Sequence, residues 1–211
     1  MPLSFLQIRL FAILMVMGSF LCSCKTTPPN RFYVLNPLDS GVTIRSKTDH
    51  KGPLSVEVVS LRLPRYLERP QIVIRNSGNQ LELEEFHQWG GSLRKNMIRV
   101  LAINLSQLLA TPDIAISPYR PPIPPDFRVE LEVLQFERDS RGQVRLTAQW
   151  RLSRGSDRKL LKTRITDLES PAVKTGLDFE HTVSAMSILF GELSQIISRE
   201  ILKYAHSKPE P

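Results

Sequence analysis

A chain of 211 residues in which 41% are hydrophobic is long enough to bury one globular core and too apolar to be intrinsically disordered. Its 28 lysines and arginines outnumber its 21 acidic residues and give a formal net charge of +7, but they are scattered along the chain. This distribution favours a solvated basic surface over a specific anion-binding site.

Residues 1–23 have the pattern of a secretory signal peptide. The apolar segment Leu10 to Leu21 contains about 12 residues, fewer than the roughly 20 that a transmembrane helix requires. It leads into Leu21-Cys22-Ser23-Cys24, which fits a bacterial lipobox with Cys24 as the lipidated residue. The sequence therefore predicts a lipid anchor at Cys24, and the alternative is an ordinary signal peptide with incidental cysteines.

Lipidation would place the mature chain on a membrane. Acyl chains such as palmitate anchor strongly, because each buried methylene contributes about 0.8 kcal/mol. An aspartate after the lipidated cysteine retains such proteins in the inner membrane of enteric-type bacteria, and Lys25 stands there instead. We therefore expect an outer-membrane anchor, a domain that faces the periplasm, and no contact with nucleic acid. The basic charge would then meet anionic lipid headgroups or cell-wall polymers.

The folded domain is expected to contain no disulfide, because both cysteines lie in the lipobox. Residues 24–30 form a short polar tether, residues 31–205 a single domain, and residues 206–211 a flexible tail. The first strand is predicted at Phe32 to Leu35. A second strand, Leu54 to Leu61, has apolar residues on both faces, which is typical of a central position in a sheet.

A hairpin and a helix follow. Gln71 to Arg75 alternates apolar and polar residues, and Leu81 and Leu83 repeat the pattern after a polar turn. Ser92 is the predicted N-cap of an amphipathic helix. The apolar face of this helix consists of Leu93, Met97, Val100, Leu101, Leu105, Leu108 and Leu109.

The second half of the chain is predicted to contain a long antiparallel hairpin. Apolar residues alternate with polar ones from Phe127 to Val133 and from Val144 to Leu152, so the hairpin has one buried face and one solvated face. The alternation slips at Leu134 and Phe136, which indicates a β-bulge. A short strand at Asp113 to Ser117 precedes the hairpin, and another strand at Lys159 to Leu168 follows it.

Between the short strand and the hairpin lies the proline-rich segment Tyr119 to Phe127. Such a segment is compatible with polyproline II geometry and recognition by SH3-like domains, but a structural connection between strands is the simpler interpretation.

The last element is a helix from about Asp178 to Ala205. Its apolar stripe indicates packing on the sheet, with a coiled-coil seam to a partner as the alternative. The stripe consists of Phe179, Val183, Met186, Phe190, Leu193, Ile197 and Ile201. The fold class is thus α+β, a mostly antiparallel sheet covered by two amphipathic helices in the order β-β-β-β-α-β-β-β-β-α.

Catalytic chemistry is not expected. Ser92-Leu93-Arg94-Lys95 fits the S-x-x-K box of penicillin-recognising enzymes and Lys174-Thr175-Gly176 fits their K-T-G box, but Ser156-Asp157-Arg158 replaces the S-D-N box. The histidines show no metal-ligand spacing, so we expect neither a metal nor a cofactor. Trp89 and Trp150 could line a lipid or partner site, although the position of Trp150 in an alternating strand favours the core.

The candidate partner-binding residues lie in the loop Leu63 to Pro70, which contains Tyr66, Arg69 and Pro70. Aromatic residues and arginine are enriched at binding hot spots, and loops on a rigid sheet commonly carry function. The alternative is that Tyr66 and Arg69 only attach the loop to the domain.

A family resemblance is carried by Tyr66 to Val73, by Glu85, Phe86 and Trp89, and by the helix residues Arg99 to Leu101, Asn104 and Leu105. These segments closely resemble the PqiC-type (YmbA-like) auxiliary lipoproteins of ABC-type, MCE-associated transport systems.

The resemblance implies an outer-membrane lipoprotein that assists intermembrane lipid transport and supports envelope integrity. Its partners would be an MCE-domain protein with its inner-membrane components and, in a homo-oligomer, copies of itself. A structural or regulatory lipoprotein that binds peptidoglycan or activates a cell-wall synthase is the alternative, because a lipobox and basic charge fit both functions.

Overall fold

A computed structural model describes residues 28–39, 53–119, 122–172 and 178–207. The predicted signal peptide, the lipobox with Cys24, and the K-T-G box at 174–176 lie outside the described residues.

The described residues contain eight strands, two α-helices and one 3₁₀ turn at Arg65–Leu67, in the predicted order. The strands are β1 (Arg31–Tyr33), β2 (Val56–Arg62), β3 (Gln71–Arg75), β4 (Leu81–Trp89), β5 (Ile114–Ile116), β6 (Phe127–Asp139), β7 (Val144–Arg154) and β8 (Leu160–Glu169). The helices are α1 (Leu93–Leu108) and α2 (Phe179–His206). The predicted α+β class is confirmed.

All the described strands join one mixed sheet in which β6 is the central strand. One edge of β6 pairs antiparallel with β7, which pairs antiparallel with β8. The other edge pairs parallel with β2 along its first half and with β3 at Arg138 and Asp139. Beyond these strands, β5 lies parallel to β2, β4 lies antiparallel to β3, and β1 lies parallel to β4. Antiparallel pairs contain most of the paired residues in this part of the chain.

The predicted bulge in β6 is confirmed. The register with β7 shifts between Val133 and Gln135, and Leu134 is 44% exposed. The extra residue keeps Phe136 on the face that packs against α2, where its ring lies 6.2 Å from that of Phe190.

Both helices cover the same face of the sheet. Helix α1 packs on β2 and β5, α2 packs on β6, β7 and β8, and the two helices contact each other. Every residue of the predicted stripe on α2 is buried, so core packing is confirmed for this helix. Trp150 is also a core residue, with its indole Nε1 donating to Thr166 Oγ1 at 3.0 Å.

The two helix starts are capped by side chains. Ser92 Oγ accepts a hydrogen bond from the Lys95 backbone N at 3.4 Å, which confirms the predicted N-cap of α1. Asp178 Oδ1 accepts from the backbone N of Glu180 at 2.9 Å and of His181 at 3.3 Å at the start of α2. In the described part of the chain, neither helix is sufficiently long and apolar to cross a membrane.

The segment after β1 is attached to both helices by side-chain hydrogen bonds. Asn96 Oδ1 accepts from Leu35 N at 2.7 Å, and Asn104 Oδ1 accepts from Leu38 N at 2.8 Å. Asn104 Nδ2 also donates to Ser194 Oγ of α2 at 3.1 Å. Two amides of α1 therefore supply the backbone partners that a neighbouring strand would otherwise provide.

Candidate partner-binding surface

The β2–β3 loop, Leu63–Pro70, is held at both ends. Within it, Leu67 N donates to Pro64 O at 2.9 Å, which closes the 3₁₀ turn, and the Leu67 side chain is buried. At the far end, the Trp89 backbone N donates to Pro70 O at 2.7 Å. The loop therefore presents its exposed side chains from a fixed backbone.

Tyr66 attaches the centre of the loop to a buried carboxylate. Glu137 of β6 is 1% exposed and accepts three hydrogen bonds. The donors are the Tyr66 hydroxyl at 3.0 Å, Arg75 Nε at 2.7 Å and the Phe136 backbone N at 2.9 Å. Removing any of these partners would leave a buried negative charge with one compensating donor fewer, which is energetically costly. The hydrogen bond from Tyr66 therefore holds the loop on the sheet.

The protonation state of Tyr66 suits this role. Burial and the negative charge of Glu137 raise the pKa of the Tyr66 phenol to about 12. The hydroxyl therefore keeps its proton at physiological pH and remains a donor to Glu137.

Arg69 differs from Tyr66 in its exposure and in its contacts. It is exposed and makes no hydrogen bond or ion pair with the described residues, while Pro70 beside it is also exposed. The neighbouring Glu68 carboxylate lies 4.0 Å from Arg94 Nε of α1, a distance at the limit of an ion pair. The contact hypothesis therefore fits Arg69 and Pro70 better, and the attachment alternative fits Tyr66 better.

Trp89 lies mainly in the core. It is 5% exposed, and only part of it borders a shallow groove of about 270 Å³. Lys95 and Arg99 of α1 line the same groove, next to Tyr33 and Val34. A ligand in this groove would contact Trp89 between the end of β4 and the first turns of α1.

The described histidines are satisfied locally. The His87 ring stacks on Phe179 with centroids 3.8 Å apart, and its Nδ1 lies 2.8 Å from the Tyr33 hydroxyl. His181 pairs with Asp178, and His206 Nδ1 lies near Leu202 O. No group of three or more potential metal ligands occurs within the described ranges.

Glu137 and Arg75 are the site residues that sequence reasoning missed. A lone glutamate in a strand normally indicates a solvated position. Glu137 follows the bulge, and its burial also involves the distant loop that carries Tyr66, which the local sequence does not reveal. A tyrosine in the loop and an arginine at the end of β3 are weak signals for such a cluster, because both residue types also occur on ordinary surfaces.

A family model described as "ABC-type transport auxiliary lipoprotein component" matches residues 33–198. The chain belongs to this family. Membership of this auxiliary lipoprotein family implies a membrane-anchored protein that faces the periplasm. No curated protein matches the sequence at a significant level.

Two crystal structures share the fold of this auxiliary lipoprotein component. Protein XCC0632 from Xanthomonas campestris superposes with a TM-score of 0.67 at 13% identity, over 82% of this chain and 95% of that one. An uncharacterized protein superposes with a TM-score of 0.65 at 21% identity, over 82% of this chain and 99% of that one. At these identities the similarity shows the fold alone.

Proposed function

We propose that this lipoprotein is anchored in the outer membrane through Cys24 and acts as the auxiliary subunit of an MCE-type intermembrane lipid transport system that supports envelope integrity. The observation that carries the proposal is the family match over residues 33–198. The lipobox and Lys25 support the outer-membrane location.

The protein acts in this system by binding. The S-x-x-K serine, Ser92, is occupied as a helix cap, and Asp157 of the altered third box accepts from the Lys159 backbone N at 3.0 Å inside a turn. Neither side chain is arranged as a nucleophile beside a base.

We assign the contact with the MCE-domain protein to Arg69 and Pro70 on the β2–β3 loop. An exposed cation on a fixed backbone can form a charge-assisted hydrogen bond with a partner carboxylate at little cost in loop ordering.

The test is photo-crosslinking in cells. A benzophenone amino acid at position 69 should capture the MCE-domain protein, and the same amino acid in place of Arg164, an exposed residue on β8, should not. Capture from neither position, together with retention of the protein on isolated peptidoglycan, would support the cell-wall function instead. Genes for an MCE-domain protein, a permease and an ATPase beside this one would support transport.

A further inference from the structure

Three large apolar side chains are exposed on one surface near the N-terminal tether. Phe32 is 65% exposed, Val34 48% and Ile188 57%. All three line a single open groove of about 690 Å³ between residues 32–39 and the first turns of α2. Clustered apolar exposure of this kind marks an interaction surface more often than a neutral one.

The local fold forces these side chains outward. In the segment from β1 onward, Tyr33 and Leu35 alternate with Phe32 and Val34, and Leu35 is fully buried. The backbone is fixed in this phase by the Asn96 amide and by Asn36 N, which donates to Ser187 Oγ at 3.1 Å. Phe32 and Val34 therefore cannot turn inward without breaking these bonds.

The proposed anchor holds this surface close to a bilayer. Eight residue steps separate Cys24 from Phe32 in the sequence, and an extended chain covers at most about 3.6 Å per step, or about 29 Å in all. A membrane attached at Cys24 is thus present at high effective concentration beside the groove, whereas a soluble partner would have to be recruited.

Charged side chains of both signs lie at the groove. Across Val34, the exposed cations Lys95 and Arg99 line the adjoining depression. The acidic side chains Asp39 and Glu180 line the groove itself, beside the three apolar side chains. An apolar cluster with an aromatic ring and cations on one side is the composition of surfaces that bind the interface of an anionic bilayer.

We propose that the surface formed by Phe32, Val34 and Ile188, with Lys95 and Arg99 beside it, rests on the anionic phospholipid interface of the membrane that holds the lipid anchor. The three apolar side chains enter the headgroup region and the two cations face lipid phosphates. This proposal rests on the anchor at Cys24, and it assigns to the domain an orientation that a tether alone would not impose.

The experiment uses the lipidated mature protein in vesicles of phosphatidylethanolamine and phosphatidylglycerol. Cys22 leaves with the signal peptide and Cys24 is consumed by lipidation, so Val34→Cys introduces a single site for an environment-sensitive fluorophore. Ile165→Cys is the matched control, because Ile165 is 58% exposed and lies on β8 at the opposite edge of the sheet. Circular dichroism checks the fold of both labelled proteins.

Spin-labelled phospholipids should quench the fluorophore at position 34 several-fold more than the fluorophore at position 165. Replacing phosphatidylglycerol with a neutral lipid should reduce that difference. Equally low quenching at both positions would overturn the proposal. A blue-shifted but unquenched fluorophore at position 34 would also overturn it, because another protein surface would then cover the groove.

Mass spectrometry before reconstitution tests the lipid anchor at Cys24 separately from the orientation of the domain on the bilayer. A protein without acyl chains on Cys24 would overturn the anchor and this proposal together, whereas low quenching in an acylated protein overturns only the orientation.

Discussion

Glu137 is the residue whose environment most affects the candidate surface. Its carboxylate is buried and accepts from Tyr66, Arg75 and its own strand. We expect Tyr66→Phe to lower the free energy of unfolding by about 1–3 kcal/mol, because it leaves a buried charged acceptor with one donor fewer. Arg69→Ala should change it by no more than about 0.5 kcal/mol, as for other exposed side chains.

Urea denaturation of the two variants measures this difference. If Arg69→Ala destabilised the protein as much as Tyr66→Phe, then Arg69 would be part of the scaffold. The partner contact would in that case have to lie elsewhere.

His87 makes folding stability depend on pH. Burial, with the positive charge of Arg31 adding to it, lowers the pKa of His87 below its ordinary value of about 6.5. The unfolded chain therefore binds a proton at a higher pH than the folded chain does. The stability due to neutral His87 is complete above about pH 6.5 and is lost as the pH falls through the folded pKa.

We expect His87→Phe to weaken this dependence, because phenylalanine can still stack on Phe179 but cannot titrate. The measurement is the difference in melting temperature between about pH 7.5 and about pH 5, determined for both proteins. The pKa shift of His87 affects how stability changes with pH, so this difference, and not the melting temperature at one pH, is compared. An equal loss in the two proteins would show that another group titrates.

Residue-scale prediction succeeded where the physical cause is local. Ser92 precedes an amphipathic run, and its capping role depends only on the next three residues. The exposure of Phe32 could not be predicted in the same way. Phe32 lies in a strand with apolar residues on both faces, and only the strand's position at the sheet edge decides which face is covered.

At the scale of elements, α1 does more than cover the sheet. Through Asn96 and Asn104 it holds the segment after β1, and through Asn104 it also contacts α2. Packing is close at the same place, since a Cβ at Gly191 would lie 2.5 Å from Leu38 Cδ2 and the Leu38 side chain would have to shift to admit it.

We expect Asn104→Ala to lower the free energy of unfolding by about 1–3 kcal/mol, because Leu38 N and Ser194 Oγ lose a partner inside the protein. Hydrogen exchange should show faster exchange of the Leu38 amide than in the parent protein. Unchanged exchange at Leu38 would mean that the segment is held by its apolar contacts and not by the amide.

Periodicity identified the strands and helices but not the neighbours of each strand. Apolar residues on both faces of β2 indicate that both faces are buried, which is why a central position could be predicted. It does not show that β2 lies parallel to β6 and β5, because partner choice depends on contacts between residues far apart in the chain. The parallel β1–β4 pair could not be predicted either, because the three residues of β1 are too few to show a hydrophobic pattern.

At the scale of the whole molecule, the proposed anchoring depends on one cysteine. We expect Cys24→Ala to leave an unprocessed precursor that does not fractionate with the outer membrane, because the lipobox loses its acceptor thiol. Cys22→Ala is the matched control and should be processed normally. Maturation and outer-membrane fractionation of Cys24→Ala would contradict the lipoprotein assignment.

The two proposed surfaces lie at the same end of the molecule. Glu68 of the β2–β3 loop approaches Arg94 in the first turn of α1, and Lys95 beside it lines the depression next to Val34. A partner bound at Arg69 would therefore be held within reach of the bilayer surface, which suits the transfer of lipids between a transport protein and a membrane.

The central position of β6 also has a kinetic consequence. β2 and β3 are joined through β6 and not to each other, and Ser55 bonds to Asp126, 71 positions away. Closing so long a loop costs entropy before any contact compensates for it, and non-local pairing of this kind slows folding. A chain that emerges N-terminus first keeps β2 unpaired with β6 until residues 127–132 are free, and β3 until residues 138–139 are free. Throughout that interval the strand edges of β2 and β3 that pair with β6 stay open to other chains, even where β3 has already paired with β4 and β2 with β5, so a chaperone that shields apolar segments would act on this part of the sequence.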